Sequence, residues 1–76
     1  MNNDSLKRER FVKIAENRTN KIIYMLKLLG NCSNKNNYTY DENDVRQIFN
    51  AIDQELKITK SRFQEAQSNK KEFKLK

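Results

Sequence analysis

The stretch Gly-Asn-Cys-Ser-Asn-Lys-Asn-Asn-Tyr-Thr-Tyr, residues 30–40, separates two long segments that contain no helix breaker. Proline is absent from the chain of 76 residues, and Gly30 is its single glycine. Asn and Ser dominate the stretch, and their short polar side chains compete with the backbone for hydrogen bonds and favour turns. The sequence therefore predicts a loop over residues 30–40, with one helix before it and one after it.

The first predicted helix covers about residues 5–29. Asp4 or Ser5 offers an N-cap oxygen, and Gly30 is expected to end the helix because glycine tolerates the left-handed conformation common just after a helix. Apolar or small residues recur along this segment at alternating spacings of three and four, which is the period of an amphipathic helix. These residues are Val12, Ala15, Thr19, Ile22, Leu26 and Leu29.

The second predicted helix covers about residues 41–66. Thr39 and Glu42 are three positions apart and match the capping box that starts many helices. The same alternation of three and four then runs through the segment and predicts a second amphipathic face. Its residues are Val45, Phe49, Ile52, Leu56, Thr59 and Phe63. Residues 70–76 are expected to form a basic flexible tail.

These elements predict an all-α fold, in which residues 1–69 form one antiparallel two-helix hairpin with a long Asn-rich connecting loop. Only 36% of the residues are hydrophobic, and a domain this small rarely stabilises itself without disulfides, a metal ion or oligomerisation. A lone hairpin covers each apolar stripe on one side only. We therefore expect it to dimerise into a four-helix bundle.

Positive charge is distributed unevenly along the chain. The net charge is +6, of which residues 1–30 carry +4, Lys35 in the loop carries +1 and residues 70–76 carry +3, whereas residues 41–69 carry −2. Basic surfaces attract phosphates, and an amide- and tyrosine-rich loop can stack on bases or bind their edges. We therefore predict a small accessory or regulatory protein that binds DNA or RNA. The candidate binding residues are Arg8, Arg10, Lys13, Lys21, Asn31, Asn34, Lys35, Asn37, Tyr38, Tyr40, Lys70 and Lys71.

Each of these features also has a structural interpretation. Lysine and arginine keep small proteins soluble, and the loop asparagines can simply close turns. Arg18, at the edge of the first stripe, is expected either to pair with Asp53 or Glu55 or to extend outward along its apolar stem. The alternative function is a protein-interaction module that docks the hairpin on a larger protein and modulates it.

The composition argues against catalysis. Cys32 is the single cysteine and histidine is absent, so the chain has no intramolecular disulfide, no usual zinc ligand set and no base for a cysteine nucleophile. We expect a protein that is not an enzyme and has no metal ion or cofactor. The polar start and the short apolar runs predict a cytoplasmic protein without a membrane segment.

A set of residues and short motifs is distributed over residues 10–63. They are Arg10-Phe11, Ala15, Arg18, Lys21, Leu29-Gly30-Asn31-Cys32-Ser33-Asn34, Asn37-Tyr38-Thr39-Tyr40, Asp44-Val45, Ile48-Phe49, Ala51-Ile52 and Phe63. In these residues the chain resembles a group of small helical proteins found on plasmids and other mobile elements of low-GC bacteria. The resemblance implies a compact helical unit with a loop of fixed character and an accessory role on a mobile element, and it implies no activity.

Overall fold

The computed structural model describes residues 2–70, with side chains from residue 3 to residue 67. This part of the chain contains two helices and no strand: α1 covers Asn2–Asn31 and α2 covers Glu42–Lys70. The predicted all-α class is therefore confirmed. Two compact units divide at the loop, the first ending at Thr39 and the second beginning at Tyr40.

Helix α1 extends past both predicted ends. Gly30 lies inside it, and no described residue has a positive φ, so the expectation that a left-handed Gly30 ends the helix is wrong. The backbone N–H of Cys32 instead donates to the carbonyl of Leu29 at 2.9 Å, and that of Ser33 to Gly30 at 3.1 Å. These hydrogen bonds join residues three apart rather than four, as in a 3₁₀ turn. They satisfy carbonyls at the end of the helix without a left-handed residue, so Gly30 stays helical.

Helix α2 begins with a capping box, and the first residue of that box, Asp41, lies two residues after the predicted capping residue Thr39. Asp41 precedes the helix and accepts a hydrogen bond from the Asp44 N–H at 2.9 Å through its carboxylate. Asp44 returns the bond, accepting from the Asp41 N–H at 3.0 Å. Two carboxylates thus satisfy backbone donors at the positive end of the helix dipole, so this pair replaces the predicted pair of Thr39 and Glu42.

The other end of α2 lies at Lys70, four residues beyond the predicted end at residue 66. No glycine or proline occurs after Gly30, so nothing in the sequence obliges the backbone hydrogen bonds to stop earlier. The predicted basic tail begins at this last helical residue. Its residues 71–76 lie outside the described part of the chain.

Among residues 3–67 no side chain is buried. The least exposed positions on each helix belong to its predicted apolar stripe: Val12, Ala15 and Leu29 on α1, and Val45 and Ile52 on α2, are half-buried. The larger stripe residues are more exposed, at 60% for Ile22 and 54% for Phe63. The alternation of apolar positions is therefore present on each helix. The antiparallel hairpin and its dimerisation stay predictions of the sequence.

Candidate nucleic-acid interface

One side of α1 is basic and carries no acidic residue. At 100° per residue, six polar side chains between residues 7 and 24 fall within an arc of about 120°, opposite the apolar stripe. Ile14, which is 41% exposed, is an apolar residue within the same arc. All six are exposed. We call them the basic face of α1: Lys7, Arg10, Lys13, Asn17, Lys21 and Tyr24.

The basic face is bordered by acidic residues that lie outside it. Glu9 and Glu16 fall beyond its Lys13 edge, and Asp4 falls on the apolar side of the helix. From Lys7 to Tyr24 the face is about 25 Å long at 1.5 Å per residue. It is thus long enough to follow several successive phosphates of a nucleic-acid strand.

Three predicted binding residues, Arg10, Lys13 and Lys21, share this face, but Arg8 does not. Arg8 points toward the apolar side, where its guanidinium carbon lies 5.9 Å from the centre of the Phe11 ring. This is the geometry of a cation–π contact between residues three positions apart on a helix. Arg8 therefore lies on the opposite side of α1 from Arg10, Lys13 and Lys21.

Asn17 and Tyr24 complete the basic face and were absent from the predicted set. Asn17 is seven residues after Arg10 and four after Lys13, and Tyr24 follows Asn17 by a further seven. A spacing of seven residues is close to two helical turns, so the sequence itself carried the signal that places Asn17 and Tyr24 on the same face as Arg10. Tyr24 is 60% exposed, so its ring is accessible for stacking.

The loop after α1 is organised by its asparagines. The carbonyl of Asn31 accepts the Asn34 N–H at 3.3 Å, and the carbonyl of Asn34 accepts the N–H groups of Asn37 at 3.1 Å and Tyr38 at 3.0 Å. The Asn34 side chain also accepts the Asn36 N–H at 2.9 Å, closing an Asx turn. The Asn34 side chain thus closes a turn, as the structural interpretation predicted, whereas Asn31 contributes its backbone carbonyl.

The remaining candidate binding residues of the loop differ in how far their side chains are exposed. Lys35, Asn37 and Tyr38 are exposed, and 51% of the Tyr38 surface is accessible. These three belong to the same compact unit as α1, whereas Tyr40 is half-buried and opens the second unit. The first unit therefore carries a cation, an amide and an aromatic ring beyond the end of α1.

Two predicted binding residues lie at the C-terminal end of the described structure. Lys70 is the last residue of α2. Lys71 lies outside the described residues. Their part in a binding surface stays a prediction.

The described chain has a free thiol but neither a group of metal-binding side chains nor a membrane-spanning helix. Residues 2–70 contain no group of three or more acidic or cysteine side chains arranged to hold a metal ion. Cys32 is an exposed free thiol just after α1. Over the same residues, neither helix combines the length and the apolar character needed to cross a membrane.

Compared with protein-family models, curated proteins and solved structures, the chain shows no significant match. Its function is therefore inferred from its own side chains and their placement.

Proposed function

We propose that this chain is a small, non-enzymatic accessory protein that binds DNA or RNA through the basic face of α1. The observation that carries the proposal is the segregation of charge on this helix: Arg10, Lys13 and Lys21 share one exposed side, from which acidic residues are absent. An acid-free basic surface lowers the cost of approaching closely spaced phosphates. The proposed setting is the cytoplasm, on a plasmid or other mobile element.

The polar and aromatic residues define what such a surface would contact. Lysine and arginine would neutralise phosphates and release their counterions, which binds nucleic acid without reading its sequence. Tyr24 on the face and Tyr38 in the loop would stack on unpaired bases, and Asn17 and Asn37 would bind base edges. The proposed mode therefore favours single-stranded or looped segments next to a charged backbone.

The salt dependence of binding tests this proposal. Fluorescence anisotropy would follow labelled duplex DNA, single-stranded DNA and an RNA hairpin across a salt series. The triple variant R10Q/K13Q/K21Q removes three phosphate contacts, so the log–log slope for duplex DNA should become less steep by about 2.7.

The matched control is K27Q/R46Q/K57Q, which removes the same charge from positions outside the basic face. It should keep a slope within about one unit of that of the unchanged chain. Equal losses in the two variants would show that net charge alone attracts the nucleic acid. Absence of binding to all three probes at low salt would refute the proposal.

The second candidate function is docking on a larger protein, and the exposed apolar stripes favour it. Ile22 and Leu26 of α1 are 60% and 42% exposed, and Phe49 and Leu56 of α2 are 47% and 51% exposed. Helices gain most of their stability in proteins by burying such a face. The two-hairpin bundle expected from the sequence would cover the stripes by self-association, whereas a docking protein would cover them with a different chain.

Affinity capture of the molecules that bind the chain in its native host distinguishes nucleic-acid binding from docking on a protein. The tagged chain and its variant I22N would be used as bait, with K27N as the control on a polar position of α1. A docking protein should be retained by the unchanged chain and by K27N and lost with I22N. Recovery of nucleic acid, or of the bait alone, would contradict the docking function.

A further inference from the structure

The apolar stripe of α2 is the most regular surface of the described chain. Its residues repeat every seven positions as two interleaved series, and the stripe spans about three heptads. Among its large side chains, Phe49, Leu56 and Phe63 are 47%, 51% and 54% exposed. To the predicted residues Val45, Phe49, Ile52, Leu56, Thr59 and Phe63, the same spacing adds Ala66.

Charged residues line both edges of this stripe, and their signs change at its middle. One edge carries Glu55 and then Arg62, and the other carries Asp53 and then Lys60. At the middle of the stripe each edge thus changes from acidic to basic, and all four side chains are exposed. Arg46 lies one heptad before Asp53 on the same edge, so the N-terminal end of that edge is basic. A surface with this pattern is complementary to itself when a second copy is turned end to end.

We propose that α2 pairs with α2 of a second copy of this chain as an antiparallel coiled coil, with its twofold axis between residues 57 and 58. In an antiparallel pair each edge faces the same edge of the other helix, and this register places Asp53 beside Lys60 of the second copy. It places Glu55 beside Arg62 of the second copy in the same way. The twofold axis repeats both contacts, so four opposite-charge pairs flank the stripe.

The side chains along the stripe also match in size in this register. Phe49 faces Ala66 of the second copy and Leu56 faces Thr59, so a large residue meets a small one in these layers. In the layer between them Ile52 faces Phe63, and two large side chains meet. The Thr59 hydroxyl already donates to the Glu55 carbonyl of its own helix at 2.9 Å. Its donor is satisfied before association, which lowers the cost of covering Thr59 with an apolar surface.

Two other arrangements of the same helix pair the charges less well. A parallel pair in register brings Glu55 beside Lys60 of the second copy but leaves Asp53 opposite Ile48. An antiparallel pair shifted by one heptad, centred on residue 54, puts Asp53 beside Asp53 and Glu55 beside Glu55. Charge therefore selects both the direction and the register of the proposed pair.

Charge reversal on the full chain tests this inference, with the dimer dissociation constant measured by sedimentation equilibrium. D53K turns two favourable pairs into two repulsive ones and should raise the dissociation constant about tenfold. The double variant D53K/K60D exchanges the charges between the two helices and should restore it to within about threefold. In a parallel pair the double variant would instead place the carboxylate introduced at position 60 beside Glu55 and weaken the dimer.

Two variants serve as controls. E65K changes charge by the same amount as D53K, but on the side of α2 away from the stripe, and should leave the dissociation constant unchanged. R18Q tests the expectation that Arg18 pairs with Asp53 or Glu55, and it should also leave the constant unchanged. A dimer weakened by R18Q, or a chain that stays monomeric at about 100 μM, would overturn the inference.

A cysteine at Ala66 tests the direction of the pair independently. In the variant C32S/A66C, an antiparallel pair keeps the two thiols in different layers, so oxidation should yield no disulfide-linked dimer. A rapid, quantitative disulfide would require a parallel pair and would overturn the inference. The inference goes beyond nucleic-acid binding, and because these experiments measure association without nucleic acid, either proposal can fail while the other stands.

Discussion

At the level of single residues, the start of α2 depends on two aspartates. The segment from Thr39 to Asp44 contains two overlapping pairs with capping-box spacing, Thr39 with Glu42 and Asp41 with Asp44. Spacing alone does not distinguish them. The structure selects the aspartate pair because Asp41 and Asp44 each accept the other's N–H, at 2.9 and 3.0 Å.

Substitution of Asp41 should measure the value of this cap. D41A leaves the Asp44 N–H without its acceptor and should destabilise α2 by about 1 kcal/mol, read as lower helicity and a lower thermal midpoint in circular dichroism. D41N keeps a side-chain oxygen in place and should behave nearly like the unchanged chain. A T39A variant with a larger effect than D41A would contradict this assignment.

At the level of the helices, Gly30 shows the limit of a sequence signal. A lone glycine after a periodic apolar segment is typical of a left-handed helix end, yet Gly30 is helical and α1 continues to Asn31. Local bonds made by Cys32 and Ser33 satisfy the last carbonyls instead. The end of α1 thus depends on hydrogen bonds that composition alone does not specify.

Gly30 should therefore tolerate, and benefit from, a side chain. A Cβ at this position would meet nothing within 4 Å, and alanine has a higher helix propensity, so G30A should stabilise α1 by about 0.5–1 kcal/mol. Thermal unfolding followed at 222 nm would measure the change. G30N should be less stable than G30A, and the reverse order would indicate a left-handed residue 30.

At the level of the whole molecule, the chain combines a net charge of +6 with the absence of any buried side chain in residues 3–67. Folding stability in proteins comes mainly from covered apolar surface. The apolar side chains that would supply it are arranged as stripes on both helices. Association is therefore expected to contribute a large share of the stability.

Thermal stability should accordingly depend on protein concentration. If the folded helices are stabilised by association, the unfolding midpoint should rise when the chain is concentrated about a hundredfold. D53K should have the lower midpoint at each concentration, and E65K should match the unchanged chain. A midpoint independent of concentration would assign the stability to the isolated chain.

The residue pattern predicted an all-α chain and located both helices to within a few residues, because a helix is built from bonds between residues four apart. The same period places Arg10, Lys13 and Lys21 on one face, but Arg8 was predicted to bind with them and does not share that face. The three-dimensional structure alone decided which aspartates cap α2, that Gly30 is helical, and that Arg8 lies over Phe11. Those outcomes depend on distances between particular atoms, and several arrangements of them satisfy the same spacing of residue types.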